Sequence, residues 1–259
     1  VNEFNKKIVK ILLEKNLTLC DEIEFVPNNK LANELLLNLT DYPHAFVFGC
    51  LMDRQIPAEK AWVIPYNLKQ YLEQEYSLSF EFETLYLNKD KVFDWIINYS
   101  GHRLKKEIAK DIMIALRIIK NKYNGNASEI WSCLNANETI SYETVMYRFK
   151  EFAGIGDNIA KMAINVLVRD LKISTLDKSA IDILVNRHIK RVFPRVFWGI
   201  DNVKDTEIIN LARELYPDFP VALDYPLKYL STKKICTEKE PNCYKCYLNG
   251  LCKYSLINN

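Results

Sequence analysis

The sequence predicts an all-α protein; two observations carry that prediction and one stretch departs from it. Apolar residues recur at three- and four-residue spacing through most of the 259 positions, as they do on helices that bury one face. Glycine is scarce at 7 residues and the 9 prolines are spread out, so few segments are interrupted. One stretch, 77–87 (S-L-S-F-E-F-E-T-L-Y-L), alternates apolar and polar residues and reads as a strand on its own.

In chain order, the pattern gives helices over 3–15 and 28–39, a boundary at Pro43, and a compact apolar helix over 44–53. Pro57 suits a first helical position and opens a helix running to about Tyr71. After the alternating stretch come helices over 89–98, 102–123, 128–134 and 141–152. Asn126 with Glu129 forms a cap for the third of these. Two glycines, Gly154 and Gly156, then break an otherwise continuous helical pattern, which resumes at once through Ile159, Met162, Ala163 and Val166. The chain continues with helices over 157–171, 180–192, 205–215 and 220–230 before it reaches a group of cysteines.

Composition limits the class. No apolar run approaches the ~20 residues needed to span a bilayer, so no membrane partner is expected. The first residues, V-N-E-F-N-K-K-I-V-K, lack the apolar core of a signal peptide, which predicts a cytoplasmic protein. A net charge of +2 is too small to argue for nucleic acid, so a DNA-binding face must be a local patch. Of the 7 cysteines, Cys20, Cys50 and Cys133 sit within apolar helical patterns as packing residues. Cys236, Cys243, Cys246 and Cys252 cluster near the end, and without an export signal that favours a metal site over disulfides.

Between Arg148 and Arg191 lies the stretch that organises the chain. Gly154 and Gly156 make a hairpin between two helices, and its amides, with the next helix N-terminus, point at an anion such as a DNA phosphate. An ordinary αα-hairpin accounts for the glycines equally well. Downstream, Asp182 precedes Arg187 and Arg191, and the array Cys236-x6-Cys243-x2-Cys246-x5-Cys252 closes the sequence. Four soft thiolates suit zinc or an iron–sulfur cluster, although a zinc ribbon usually has two C-x2-C knuckles and only one occurs here.

Hairpin, aspartate and array in this order resemble the helix-hairpin-helix-GPD superfamily of DNA glycosylases, and most closely its endonuclease III branch. The likeness covers about residues 40–254. It implies a two-domain all-α fold, with a six-helix barrel over 41–172 that carries the hairpin. Residues 1–40 and 173–259 would form a second, discontinuous domain holding a [4Fe–4S] cluster on the four cysteines, with the active site in the cleft between the two. The cluster's role would be structural, because the loop has little core of its own. The partner implied is double-stranded DNA containing a damaged base, bound by a monomer.

The resemblance also assigns roles. Asp182 matches the family's catalytic aspartate, since Arg187 and Arg191 follow at the family's spacings of five and nine. Such a carboxylate stabilises an oxocarbenium-like sugar and orients water. An aspartate opening a helix is also a common cap. The gap from hairpin to aspartate is longer than usual, which keeps Asp177 as an alternative. The family's lyase lysine, two residues after the second hairpin glycine, is replaced by Asn158, which cannot form a Schiff base. Gln55, accompanied by Arg54, matches the residue that fills the gap left by an extruded base. The position of a proton-donating glutamate found in adenine and thymine-mismatch enzymes is occupied by Cys50.

The phosphate grip would come from Gly154, Gly156, Arg187, Lys190 and Arg191, with Arg195 nearby, although such a run also reads as a solvated helix face. An enzyme without lysine or glutamate suits a base that leaves easily, which points to alkylated purines held by aromatics such as Trp62, Tyr66, Tyr142 or Tyr147. The expected activity is that of a monofunctional DNA glycosylase of base excision repair. A mismatch or oxidised-base glycosylase, or a non-catalytic DNA-binding protein on the same scaffold, are the alternatives.

Overall fold

The protein is described as a computed structural model covering residues 2–20, 24–132, 139–173 and 177–258, apart from the side chains of Leu19 and Cys20. Among the described residues the regular structure is helical, with no β-strand. The chain divides into two compact units. The larger runs over Glu24–Val166, and the smaller joins the N-terminal helix to Leu167–Lys172 and the residues from Asp177 onward.

α1 (Glu3–Cys20) opens the chain in the smaller unit. The larger unit begins with α2 (Lys30–Leu37), where the Asn29 side chain accepts the Ala32 amide. α3 (Pro43–Met52) follows, with proline in its first turn. Every residue of α3 is buried, which fits a helix apolar on all sides that others pack around. It packs against α2, α4 (Ala58–Trp62), α5 (Ile64–Tyr76) and α8 (Lys105–Lys122), and α6 (Phe82–Leu87) and α7 (Lys89–Tyr99) pack on α8. Trp62 closes on α3 at Gly49, where an added Cβ would sit 2.4 Å from the indole. Its ring stacks on Phe25 at 4.9 Å, so Trp62 is a core residue and does not face a ligand.

The predicted strand at 77–87 is absent. Residues 77–81 are irregular and α6 takes up 82–87. Phe80 and Phe82 do point inward alternately, but Leu85 continues the buried side at helical spacing. The lead-in is held by the buried His44, whose Nε2 lies 2.9 Å from the Phe80 carbonyl, and among the described residues no strand pairs with it.

After a short 3₁₀ turn at Ala127–Ile130, capped by Asn126, come α9 (Tyr142–Lys150) and α10 (Asp157–Asn165). Ser141 accepts the Thr144 amide and starts α9. These two helices pack together as the glycine hairpin. The end of the predicted helix at 157–171 departs from α geometry, because Val166–Asp170 forms one wider π-turn.

The smaller unit adds α11 (Arg187–Phe197), α12 (Asp205–Leu215), α13 (Asp224–Thr232) and α14 (Lys253–Asn258). Ile8 and Leu12 of α1 share a core with Ile189, Phe193, Ile208 and Leu227. A helix predicted to begin near 180 instead begins at Arg187, where Asn186 accepts the amides of His188 and Ile189. Residues 181–186 form no helix, and Ile181 and Ile183 are buried on either side of Asp182. Their alternation is the period of an extended chain, and it was hidden in a run of apolar residues.

A buried charge cluster braces this unit. Arg169 pairs with Asp170 (2.5 Å) and Asp224 (3.1 Å), all three almost fully enclosed. Burial raises the Asp224 carboxyl above its usual range, and the Arg169 charge pulls it back.

Candidate functional site

The segment after α3 is held at three consecutive residues. The Met52 carbonyl lies 3.0 Å from His102 Nε2, Trp62 Nε1 donates to Asp53 Oδ2 at 3.1 Å, and Arg54 donates to both Leu51 O (2.9 Å) and Asp111 Oδ2 (2.7 Å). Gln55 then takes a left-handed backbone, φ +59°, and its side chain is exposed. That conformation is uncommon for a residue with a long side chain. Arg54 is thus no companion to Gln55 at the surface. Its side chain is 17% exposed and tied inward by the ion pair, so the role expected for it in a DNA gap does not fit its placement.

The hairpin between α9 and α10 turns at Gly154, φ +86°. Among the described residues, neither the Gly154 nor the Gly156 amide donates to a protein acceptor. Both glycines are exposed, and the first amides of α10 follow directly. Lys150 and Asp157 clasp the hairpin at 2.7 Å, and that lysine holds the Asp157 carboxyl below its ordinary value. Asn158 is exposed in the first turn of α10, while Cys50 is enclosed within α3 with its thiol pushed well up by burial. Cys50 offers no accessible acid. Cys133 lies outside the described residues, as does the side chain of Cys20.

In the smaller unit, Asp182 does not open a helix. It faces Arg213, each carboxylate oxygen accepting one guanidinium N–H, at 2.6 and 2.7 Å. Asp177 occupies the place expected for Asp182. Its Oδ1 accepts the amide (3.0 Å) and hydroxyl (2.7 Å) of Ser179 and so caps the short turn Lys178–Ala180. Its other oxygen has no partner among the described residues.

The basic run of α11 splits by depth. Arg187, His188, Lys190 and Arg191 line an open depression of about 1090 Å³ with Asp201 and Glu238 at its margin. Lys190 pairs with Asp205 at 2.9 Å, and Arg191 donates to Ser231, which also meets His188 Nδ1 at 2.7 Å. Burial and the charges of Arg187, Lys228 and Arg191 lower the His188 pKa, so this ring stays neutral near pH 7. Arg195 is only 3% exposed and belongs to the interior. It pairs with Asp201 at 2.7 Å, donates to the Thr237 and Glu238 carbonyls, and lies 3.7 Å from Cys236 Sγ.

Cys236, Cys243, Cys246 and Cys252 all line one small cavity of about 20 Å³, together with Val192, Val196 and Leu230. Among the described residues no group of three or more His, Cys, Asp or Glu side chains is arranged to hold a metal ion. N–H groups do reach two of the sulfurs, Cys236 from Arg195 and Cys246 from the Leu248 amide (3.4 Å), as they do around thiolates that bind zinc or a cluster. Burial raises all four thiols, that of Cys246 to about 11.

No protein-family model matches the sequence, and no curated protein matches it either. Solved structures do. A thermostable thymine-DNA glycosylase aligns with a TM-score of 0.57 at 17% identity, over 99% of this chain and 98% of that one. A trapped covalent endonuclease III–DNA intermediate aligns with a TM-score of 0.50 at 14% identity, over 98% of each chain. The chain has an endonuclease III-like fold.

Within this endonuclease III-like fold, sequence reasoning missed the partners more than the sites. Asp111 and Arg213 carried no motif, because an arginine or aspartate on a helix face reads as solvated. Each became visible only when folding brought it to a residue 57 or 31 positions away. Asn186 did leave a signal, as an asparagine preceding a helical run is a standard start.

Proposed function

We propose that this protein is a DNA N-glycosylase that releases a damaged base and leaves the strand intact. The observation that carries the reading is the meeting of two features in the larger unit: hairpin amides with no protein acceptor, and an exposed Gln55 tethered beside them through Arg54 and Asp111. The amides of Gly154 and Gly156 would hold a backbone phosphate, and Gln55 would fill the space of an extruded nucleotide. Arg187, Lys190 and Arg191 would add a salt-dependent grip from the depression on α11.

The chemistry is hydrolysis of the N-glycosidic bond. Water oxygen bonds to the sugar carbon as the base leaves with the bonding pair, and a carboxylate stabilises the cationic sugar and takes the water's proton. Asp182 is the proposed carboxylate, aimed by its two bonds from Arg213. A second reading assigns this role to Asp177, favoured by its unengaged oxygen and its place at the start of a turn. Asn158 has no amine to attack the sugar, so strand cleavage by β-elimination is not expected. With Cys50 enclosed, no general acid stands at that position, which favours alkylated purines, whose positive charge already weakens the bond.

The four cysteines would hold a [4Fe–4S] cluster that supplies folding free energy to the loop between them. The smaller unit is proposed as its domain and the larger unit as the barrel.

The test is a panel of duplexes, each carrying one lesion, read with and without alkali. Strand breaks only after alkali, from 3-methyladenine or 7-methylguanine duplexes, are the expected result. Breaks without alkali would overturn the monofunctional reading, and no release from any duplex would leave a DNA-binding scaffold. Asp182→Asn and Asp177→Asn, each assayed for release and for binding, separate the two carboxylates.

A further inference from the structure

Gly154 lies directly against the Arg54–Asp111 pair. A Cβ built on it would fall 2.2 Å from Arg54 Nη1 and 2.6 Å from Asp111 Oδ2. These distances leave room for no side chain, so the hairpin backbone rests on the ion pair itself. The pair is sheltered, at 17% and 16% side-chain exposure, and its arginine is the residue before Gln55. Arg54 also donates through Nε to Leu51 O at 2.9 Å, which fixes the guanidinium plane. One rigid fork therefore touches α3, α8 and the hairpin, with Gln55 as the next residue along the chain.

We propose that Arg54 and Asp111 are positioning residues that hold Gln55 at a set distance from the hairpin amides, so that gripping a phosphate also places Gln55 in the gap. This rests on the proposed function. Neither residue needs to touch DNA. Both act through Gln55, whose φ of +59° is kept by the ties on Met52, Asp53 and Arg54 on its N-terminal side. A backbone in that region relaxes when its supports go, because it is not the conformation a glutamine prefers. Loosening the fork would loosen the placement of Gln55, while the packing of α9 on α10 and the Lys150–Asp157 pair keep the hairpin amides in position.

The experiment uses the full chain and a duplex bearing one stable abasic analogue opposite 2-aminopurine, so no knowledge of the natural lesion is required. Anisotropy reads binding, and 2-aminopurine fluorescence reads entry of a side chain into the gap. The wild type is expected to bind and to raise the fluorescence, and Gln55→Ala to bind without the rise. Asp111→Asn keeps the side chain's size but removes its charge. It is expected to change affinity by less than about threefold while cutting the fluorescence rise by about fivefold or more.

A rise equal to wild type in Asp111→Asn overturns the positioning role and leaves the proposed function standing. Equal loss of binding and fluorescence also overturns it, since that would mark a general structural defect. A wild type that neither binds nor raises the signal removes the function reading first. Should Asp111→Asn fail to fold, Arg54→Lys reads the same linkage, because lysine keeps the charge but cannot form the fork.

Discussion

Asp182 and Arg213 form a two-pronged ion pair, Oδ1 to Nε at 2.6 Å and Oδ2 to Nη2 at 2.7 Å. The arginine side chain is 56% exposed and the aspartate 32%, so water screens the attraction. Arg213→Ala should change unfolding free energy by less than about 1 kcal/mol. If Asp182 is the catalyst, the same change should slow single-turnover base release by roughly tenfold, because the carboxylate loses its aim. An unchanged rate would shift the role to Asp177.

His44 makes acid sensitivity a property of the larger unit. Burial lowers its pKa from 6.5 to about 4, although the bond to the Phe80 carbonyl pulls the other way. The folded protein therefore binds fewer protons than the unfolded chain between those values. Stability is complete above about pH 6.5 and falls as the pH drops toward 4, by about 3 kcal/mol in all. Urea unfolding at pH 7.5 and pH 5 should show the loss, and His44→Gln should flatten it. Equal slopes in both proteins would mean that another group is responsible.

Gly49 should tolerate no side chain. A methyl there meets Trp62 Cε3 at 2.4 Å and Cζ3 at 2.5 Å, well inside van der Waals contact. Gly49→Ala is expected to cost about 1–3 kcal/mol in thermal or urea unfolding. Shrinking the indole with Trp62→Phe in the same chain should recover part of that loss, and no recovery would place the strain elsewhere.

Cys246→Ser should abolish the brown colour expected of the purified protein, an absorbance near about 400 nm from sulfide-to-iron charge transfer. Iron and acid-labile sulfide should fall together. The smaller unit should also lose protection from proteolysis around residues 237–245, which precede the fully buried Leu248. Zinc in place of iron in the wild-type protein would reject the cluster.

Helical character, the glycine hairpin and the cysteine group could be read from the sequence because each depends on residues close together in the chain. α12 falls where its apolar spacing put it, at 205–215. What could not be read was of two kinds. Apolar runs without breakers, such as 181–186 and 80–85, fit both an extended and a helical period, and tertiary burial decided between them. Ion pairs such as Arg54–Asp111 join residues from separate helices, so no local pattern encodes them. Arg54 was placed by its neighbour Gln55, whereas its own chemistry, a fork with a carboxylate within reach, sent it inward.

The two-part pathway of the chain has a consequence for synthesis. α1 is synthesised before the residues that cover Ile8 and Leu12, which come from α11, α12 and α13. Between them the larger unit is nearly continuous in sequence and can complete its own core while the ribosome is still working. Throughout that interval the apolar face of α1 has none of the side chains that cover it in the folded protein.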